Sequence, residues 1–181
     1  MQAQALNPHG FLVIALTASQ PSLHDEAQAM LRRQYGPCLA ASDVFDFSAF
    51  TGYYAEEMGE GLIKQFLVFE SSMEIETLPE YKHASNAAEE QWTENGCRKV
   101  NIDPGYLTLS KLVLASTKDH AHRLYIGKNI YAEITLQFKG TAFTPLPWTY
   151  PDYAAPEHLD FFTNARNTIH GRVKARIREY R

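Results

Sequence analysis

The densest run of residues able to do chemistry lies between Asn101 and Arg123. Asn101 and Asp103 stand two apart at the end of an alternating stretch, so on a strand both project the same way. A carboxylate at a strand end can act as a general base or hold a cation, although Asp-Pro-Gly is also ordinary turn chemistry. Ser116-Thr-Lys-Asp119 follows the apolar run Leu112–Ala115 and could offer hydroxyls and an ammonium to a phosphate. His120 and His122, beside Asp119, would share a face of an extended segment and supply two of the three ligands a metal needs. Two such histidines serve equally well as hydrogen-bonded surface. Arg123 is a potential bidentate anion donor. The pocket expected from these residues binds its ligand through Asn101, Lys111, Lys118 and Arg123, with Asp103, Asp119 and His122 as catalytic candidates. Tyr53, Tyr54 and Trp148, on Gly- and Pro-rich loops, would form its aromatic walls.

Several enzyme classes lose their usual signature. The sequence has no G-x-x-x-x-G-K-[ST] and no G-x-G-x-x-G, and its Gly59-x-Gly61 precedes a strand instead of following one. H-E-x-x-H, G-x-S-x-G and zinc-type Cys/His spacings are missing too. No cofactor is named by any motif. The leading expectation is binding, with or without turnover, of a phosphorylated or anionic small molecule such as a nucleotide. Two alternatives stand beside it. One is a non-catalytic protein- or RNA-interaction module. The other is a divalent-metal-dependent hydrolase in which Asp103, Asp119 and His122 converge.

These residues need a scaffold, and the periodicities predict one. Phe11–Leu16 is a continuous apolar run, as in a strand covered on both faces. A helix opens at Ser19-Gln-Pro-Ser22, carries Leu23, Ala27, Met30, Leu31 and Tyr35 on one stripe, and stops at Gly36-Pro37. Asp43–Phe47 and Lys64–Glu70 read as strands. Leu78, Tyr81, Ser85, Ala88 and Trp92 follow helical spacing up to Asn95-Gly96. Cys97–Asp103 alternates, with Arg98, Val100 and Ile102 on one face, before Pro104-Gly105 turns the chain. Tyr106–Ala115 starts as a strand and could finish as a helical turn. His122–Ile126 and Ile130–Lys139 flank Gly127-Lys-Asn129 as a hairpin. Phe143–Tyr153, with its prolines, cannot be a central strand. A last helix follows Pro156, with Phe162, Ala165, Ile169, Val173 and Ile177 on one stripe. The fold class is α+β: an antiparallel-rich sheet in ferredoxin-like βαββαβ order, extended by a C-terminal β-hairpin and a final helix. Residues 1–165 make a single domain and 166–181 a basic helical extension.

With 181 residues, 45% hydrophobic and 21% charged, the chain is a globular domain that needs no disulfide or structural metal to bury a core. No apolar run approaches the roughly 18–20 residues of a membrane span, so no membrane partner is expected. Cys38 and Cys97 form no C-x-x-C pair, which predicts buried thiols and a cytoplasmic setting. The net charge of −4 hides three blocks. Glu56–Glu94 has ten acids against Lys64 and Lys82; Arg98–Lys128 has six bases against two acids; Arg166–Arg181 has six bases against Glu179. Such asymmetry can steer an anionic partner. It can equally mean that the blocks lie side by side and neutralise one another. Nucleic acid is a less favoured partner, through the basic C-terminal segment.

The stretches NIDPGYLTLSKLVLASTKD (Asn101–Asp119), His122–Leu136, PLPWTYPDY (Pro145–Tyr153), YYAEEMG (Tyr53–Gly59) and SNAAEE (Ser85–Glu90) resemble a bacterial family known only as domain-of-unknown-function family 4416. The resemblance runs from about Phe11 to Phe162. It implies no activity, cofactor or catalytic residues. A GTP-binding label attached to some members has no P-loop here to rest on.

Overall fold

A computed structural model describes residues 9–52 and 55–179. The strands are β1 (His9–Ala18), β2 (Cys38–Ala41), β3 (Phe45–Asp46), β4 (Ile63–Glu74), β5 (Thr93–Glu94), β6 (Cys97–Arg98), β7 (Val100–Leu107), β8 (Lys111–Ser116), β9 (Leu124–Gly127), β10 (Ile130–Lys139) and β11 (Ala142–Pro145). The helices are α1 (Pro21–Tyr35), α2 (Ala55–Met58), α3 (Leu78–Glu89), α4 (Pro151–Ala154) and α5 (Pro156–Glu179). The main sheet runs β11-β10-β8-β7-β1-β4-β2, with β3 beside β4 and β9 beside β10, and its pairs are antiparallel. The fold is thus mixed α and β around one large antiparallel sheet. Insertions interrupt a bare βαββαβ sequence: β3 and α2 fall between β2 and β4, and the β5–β6 hairpin falls between α3 and β7.

Period-two alternation divides the core into two layers. On one face Leu12, Ile14 and Leu16 of β1 join Leu67, Phe69, Val100 and Ile102 beneath Ala27 and Leu31 of α1 and Leu78 of α3. On the other face Val13, Ala15, Phe66, Val68, Leu112, Leu114 and Leu136 lie under Tyr153, Phe162, Ala165 and Ile169. This explains why β1 carries no alternation: Leu12–Ala18 is buried throughout. Phe66 anchors the second layer, with ring centroids 4.7 Å from Tyr153, 5.1 Å from Phe162 and 5.4 Å from Phe45. Burying a side chain of that size stabilises the fold by about 2–3 kcal/mol.

The second face does not stay apolar. Thr17 lies opposite both Lys64 and Asn101, and Ala15 lies opposite both Phe66 and Asp103. Directly opposed residues share a face. Just past the cover of α5, the sheet therefore presents Lys64, Asn101 and Asp103 in place of hydrocarbon.

There the sheet also splits. All eight residues of β7 pair with β1, but only Gly105, Tyr106 and Leu107 pair with β8, opposite Leu114, Val113 and Leu112. Beyond that point β8 continues beside β10 as far as Ser116, opposite Tyr131. The Asp103-Pro-Gly105 segment, expected to turn the chain, instead runs straight through β7. Its residues end the strand pairing without ending the strand. Ile102 donates its backbone N–H to Glu89 Oε1 of α3 at 2.7 Å, away from β1. Pro104 has the same alternation and no N–H to leave unpaired. Gly105 permits close approach of β8, because a Cβ there would meet the Val113 carbonyl oxygen at 2.2 Å. The chain reverses later, at Thr108–Ser110, where the Thr108 N–H donates to Lys111 O at 2.9 Å. Tyr106–Ala115 is accordingly two strands and a turn.

Other expectations are corrected locally. Asn95-Gly96 is not a helix stop but the tip of the β5–β6 hairpin, with φ of +52° and +78°; α3 ends earlier, at Glu89, and a 3₁₀ turn carries Trp92. Arg98 does not continue the β7 stripe, since Lys99 separates β6 from β7. Only Phe45–Asp46 of Asp43–Phe47 is strand. Cys38 and Cys97 are half-buried free thiols, not fully buried ones. The charge blocks meet as ion pairs, with Glu80 to Lys128 at 2.6 Å and Glu70 to Arg172 at 3.0 Å, in addition to those described below. Among the described residues no helix is long and apolar enough to cross a membrane.

Gly105→Ala should be among the most damaging substitutions in the chain, because the clash is with backbone; we expect a loss of about 3 kcal/mol or more in urea unfolding. Gly171→Ala, in α5 with nothing within 4 Å, should instead stabilise by up to about 1 kcal/mol.

Candidate functional site

The fork between β7 and β8 opens into a cleft of about 620 Å³. Its floor is built from three charged pairs. Lys64 Nζ sits 2.7 Å from Asp152 Oδ2, with side chains 6% and 3% exposed. The ammonium also lies 4.3 Å from the Phe47 ring centroid and 5.0 Å from that of Tyr153, an arrangement in which ring quadrupoles offset lost hydration. Asp152 is positioned by α4, which begins at Pro151 and closes with Ala154 N–H donating to Tyr150 O at 3.1 Å.

The second pair passes through the fork. Lys82 belongs to α3, whose Leu78 packs on the first face of the sheet, yet its Nζ reaches Asp103 Oδ1 at 2.8 Å. It can do so because β8 has parted from β7 there. Asn101 Nδ2 donates to the other Asp103 oxygen at 2.7 Å, and Asn101 Oδ1 accepts from Arg98 Nη1 at 3.0 Å. Arg98 also grips Glu57 of α2 in bidentate fashion, at 2.6 and 3.1 Å, and Glu89 at 2.9 Å. Burial pushes the Asp103 carboxyl up. The Lys82 charge and hydrogen bond, the Lys64 charge and the Asn101 amide outweigh this and hold it below the usual carboxylate value. Asp103 is therefore an ionised acceptor whose side chain keeps 29% of its surface open. Glu89, by contrast, is raised, chiefly by burial.

The third pair closes the far wall. Arg123 Nε donates to Glu133 Oε2 at 2.8 Å, Nη1 to Ser116 Oγ at 2.7 Å and to Lys118 O at 3.0 Å, and Nη2 to Tyr150 Oη at 2.8 Å. This one buried guanidinium ties the end of β8 to β10 and to the loop before α4. His122 Nε2 lies 3.2 Å from the same Glu133 oxygen. The His122 ring stacks between His120, at 5.8 Å, and Trp148, at 5.3 Å.

A family model described as Domain of unknown function (DUF4416) matches residues 8–168. The chain belongs to the DUF4416 family. Neither a curated protein nor a solved structure matches it.

For this DUF4416 chain the cleft gathers Asn101, Asp103, Lys118 and Arg123, together with Ser116, Thr117 and His120, from the residues that the sequence points to. His122 and Trp148 stand behind its wall. Trp148 is tied by its indole N–H to Ile134 O at 2.8 Å. Asp119 is drawn to Tyr131, whose hydroxyl it helps to raise after burial has done most. Lys111 opens β8 while Ser116 closes it, which places Lys111 about 17 Å from the cleft end of that strand. Tyr53 and Tyr54 lie outside the described residues. Among the described residues no three His, Cys, Asp or Glu side chains are gathered to hold a metal ion. Lys64, Lys82, Glu57, Glu133 and Asp152 line the cleft as well, although the sequence does not point to them; Tyr153, one of the Pro-rich-loop aromatics able to wall a pocket, lines it too. One signal was available. The buried positions of α3 include Leu78, Lys82, Ser85 and Glu89, so a helical stripe beside the chosen one carries a lysine and a glutamate inward.

Asp103→Asn should leave the Lys82 ammonium without its counter-charge. We expect a loss of about 2–3 kcal/mol at pH 7, below the roughly 3–5 of a fully buried pair because Asp103 is partly open. The sign with pH is fixed by the depressed carboxyl. Wild-type stability from this pair is complete above the unfolded value of about 3.9 and is lost as pH falls through the lower folded value. Urea midpoints of the two proteins should converge only below about pH 4.

Proposed function

We propose that the cleft binds a phosphorylated or otherwise anionic small molecule of nucleotide size. The observation that carries this reading is the convergence of five cationic side chains, Lys64, Lys82, Arg98, Lys118 and Arg123, on one cavity that also holds four carboxylates. Moving such charges out of water costs several kcal/mol apiece, and apolar residues of similar volume would stabilise a core as well or better. Concentrated, paired charge in a concave site is characteristic of functional sites. The volume lies inside the range of about 300–1,000 Å³ usual for small-molecule sites.

The cations divide by role. Lys64, Lys82 and Arg123 are buried and organise the floor and wall. Lys118 is exposed and Arg98 about one-third exposed, so these two form the rim that meets an incoming anion. The Glu57 partner of Arg98 is itself 41% exposed. A partly exposed pair of this kind contributes little, so a phosphate can displace the carboxylate at small cost. Phe47, Phe50 and Tyr150 supply apolar wall for a flat or hydrocarbon portion of the ligand. Asp103, ionised and accessible, is the candidate base should the ligand be turned over. The two half-buried free thiols suit a reducing cytoplasm, and burial raises the Cys38 thiol so that it stays protonated.

A second reading is favoured by one observation. Leu124 is 76% exposed on β9, and Ile134, on the same face of β10 two residues beyond its partner Ala132, is exposed beside Trp148; such a patch can meet another protein. Thermal-shift screening separates the two readings. Nucleotides, phosphosugars and inorganic phosphate at about 100 times their dissociation constant should add roughly 2.7 kcal/mol, a rise of about 5–10 °C for a domain of this size. Lys118→Ala should abolish most of that rise, and Leu124→Ser should leave it unchanged. If none of the anions shifts the wild-type transition, the reading fails and the exposed patch becomes the favoured site.

A further inference from the structure

The Tyr153 hydroxyl stands apart from the other polar groups of the cleft. Tyr153 is 2% exposed, and its ring is packed 4.7 Å from Phe66 and 6.0 Å from Phe162. Its Oη is buried, and no hydrogen-bond partner among the described residues reaches it. The charged floor groups around it are satisfied: Asp152 by Lys64, Asp103 by Lys82 and Asn101, and Glu133 by Arg123. A buried hydroxyl without a partner costs about 1–3 kcal/mol, and Phe would give the same packing without that penalty. The ring is needed by the core. The oxygen is not.

We infer that the Tyr153 hydroxyl is a ligand contact, and that the group it meets is an alcohol at the neutral end of the bound molecule. This rests on the reading of the cleft as an anion-binding site and adds which chemistry lies at the opposite end. The surroundings choose the group. Tyr153 interacts electrostatically with Asp152, Asp103 and Glu133, so a second anion placed there would face three carboxylates. The paired lysines and arginine bring the floor close to neutrality, and a cation would meet them instead. An alcohol fits both constraints, because it accepts from the phenol and donates to a carboxylate oxygen. Asp103 is available for that donation. Each of its oxygens takes one hydrogen bond from the protein and retains a lone pair, and its side chain is open to the cleft. The ligand class is therefore a phosphorylated polyol, a sugar phosphate or the ribose phosphate of a nucleotide. Its phosphate lies at Arg98 and Lys118, and its hydroxyls lie at Tyr153 and Asp103.

Tyr153→Phe tests this without a known ligand and with one. Without ligand, the variant should unfold at the same temperature as wild type or slightly above it. A fall of several degrees would show that the hydroxyl is satisfied within the folded protein, and would overturn the inference. With ligand, ribose 5-phosphate, glucose 6-phosphate and adenosine monophosphate are compared with propyl phosphate, which keeps the anion and lacks hydroxyls. Tyr153→Phe should weaken the tightest hydroxylated binder about five- to tenfold and leave propyl phosphate unchanged. Equal binding of the hydroxylated compounds to both proteins removes the Tyr153 contact and leaves the anion site standing. If the panel fails to bind wild type at all, the anion site and the contact fall together.

Discussion

Two neighbouring strands that pair for three residues and then part determine most of what is distinctive in this fold. Antiparallel strands ordinarily zip along their whole common length, because every unpaired N–H and C=O left in the interior is costly. Here β7 and β8 stop at Gly105 opposite Leu114. Three local features make the separation tolerable. Pro104 brings no N–H to the abandoned edge, the Ile102 N–H finds a carboxylate on α3, and Gly105 lets the strands touch closely at the point of departure. Without the gap, Lys82 could not pass from a helix on one face to a carboxylate on the other, and the sheet would be continuous where the cleft now lies.

The charges in the cleft depend on that gap and on one another. Lys64, Lys82 and Arg123 each face a carboxylate across 2.7–2.8 Å, and each pair joins two different elements: β4 to α4, α3 to β7, and the segment before β9 to β10. Pairs this well buried bring little net stability over hydrocarbon, but losing one partner is strongly destabilising. They behave as alignment devices. Each holds a polar surface at a defined place just past the cover of α5, where hydrophobic packing would have allowed closure. Arg98 differs. It couples a floor residue, Asn101, to a surface helix through Glu57, so the cleft guanidinium that reaches solvent is also wired to the Asp103 network.

Much of the scaffold could be read from residue order. The uninterrupted apolar run of β1 and the stripes of α1 and α5 each follow from a periodicity that only one environment satisfies, whereas the alternation of β10 is broken by a register shift between Ile134 and Leu136 that leaves Ile134 exposed and buries Glu133 and Thr135. The site was half legible. Asn101 and Asp103 were found because alternation places them together, and Lys118 and Arg123 because cations accumulate in that segment. What failed was the meaning of Asp103-Pro-Gly105. Those three residues describe a turn in most contexts, and only the pairing of β7 with β1 on its other side keeps the segment extended. Lys64 and Lys82 were overlooked for a related reason. Within a strand or an amphipathic stripe a lysine reads as an exposed neighbour of buried residues. Its inward orientation depends on partners 88 and 21 positions away, and no local pattern carries that distance.

Floor and rim differ in how they could admit a molecule. The floor pairs are buried, bridge rigid elements and align the strands, so motion there would disturb the sheet itself. The rim is different in kind. Glu57 belongs to a four-residue helix and meets Arg98 where both side chains are partly exposed, so the contact is screened and easily exchanged. On the proposed reading, a phosphate arriving at Arg98 would replace one carboxylate by another anion and leave the local charge nearly unchanged. The floor keeps its geometry throughout, so the entering molecule meets a surface already organised. On the proposed reading, a rigid polar floor beneath an exchangeable ion-pair rim would let selectivity reside in hydroxyl and amide positions while entry depends on charge.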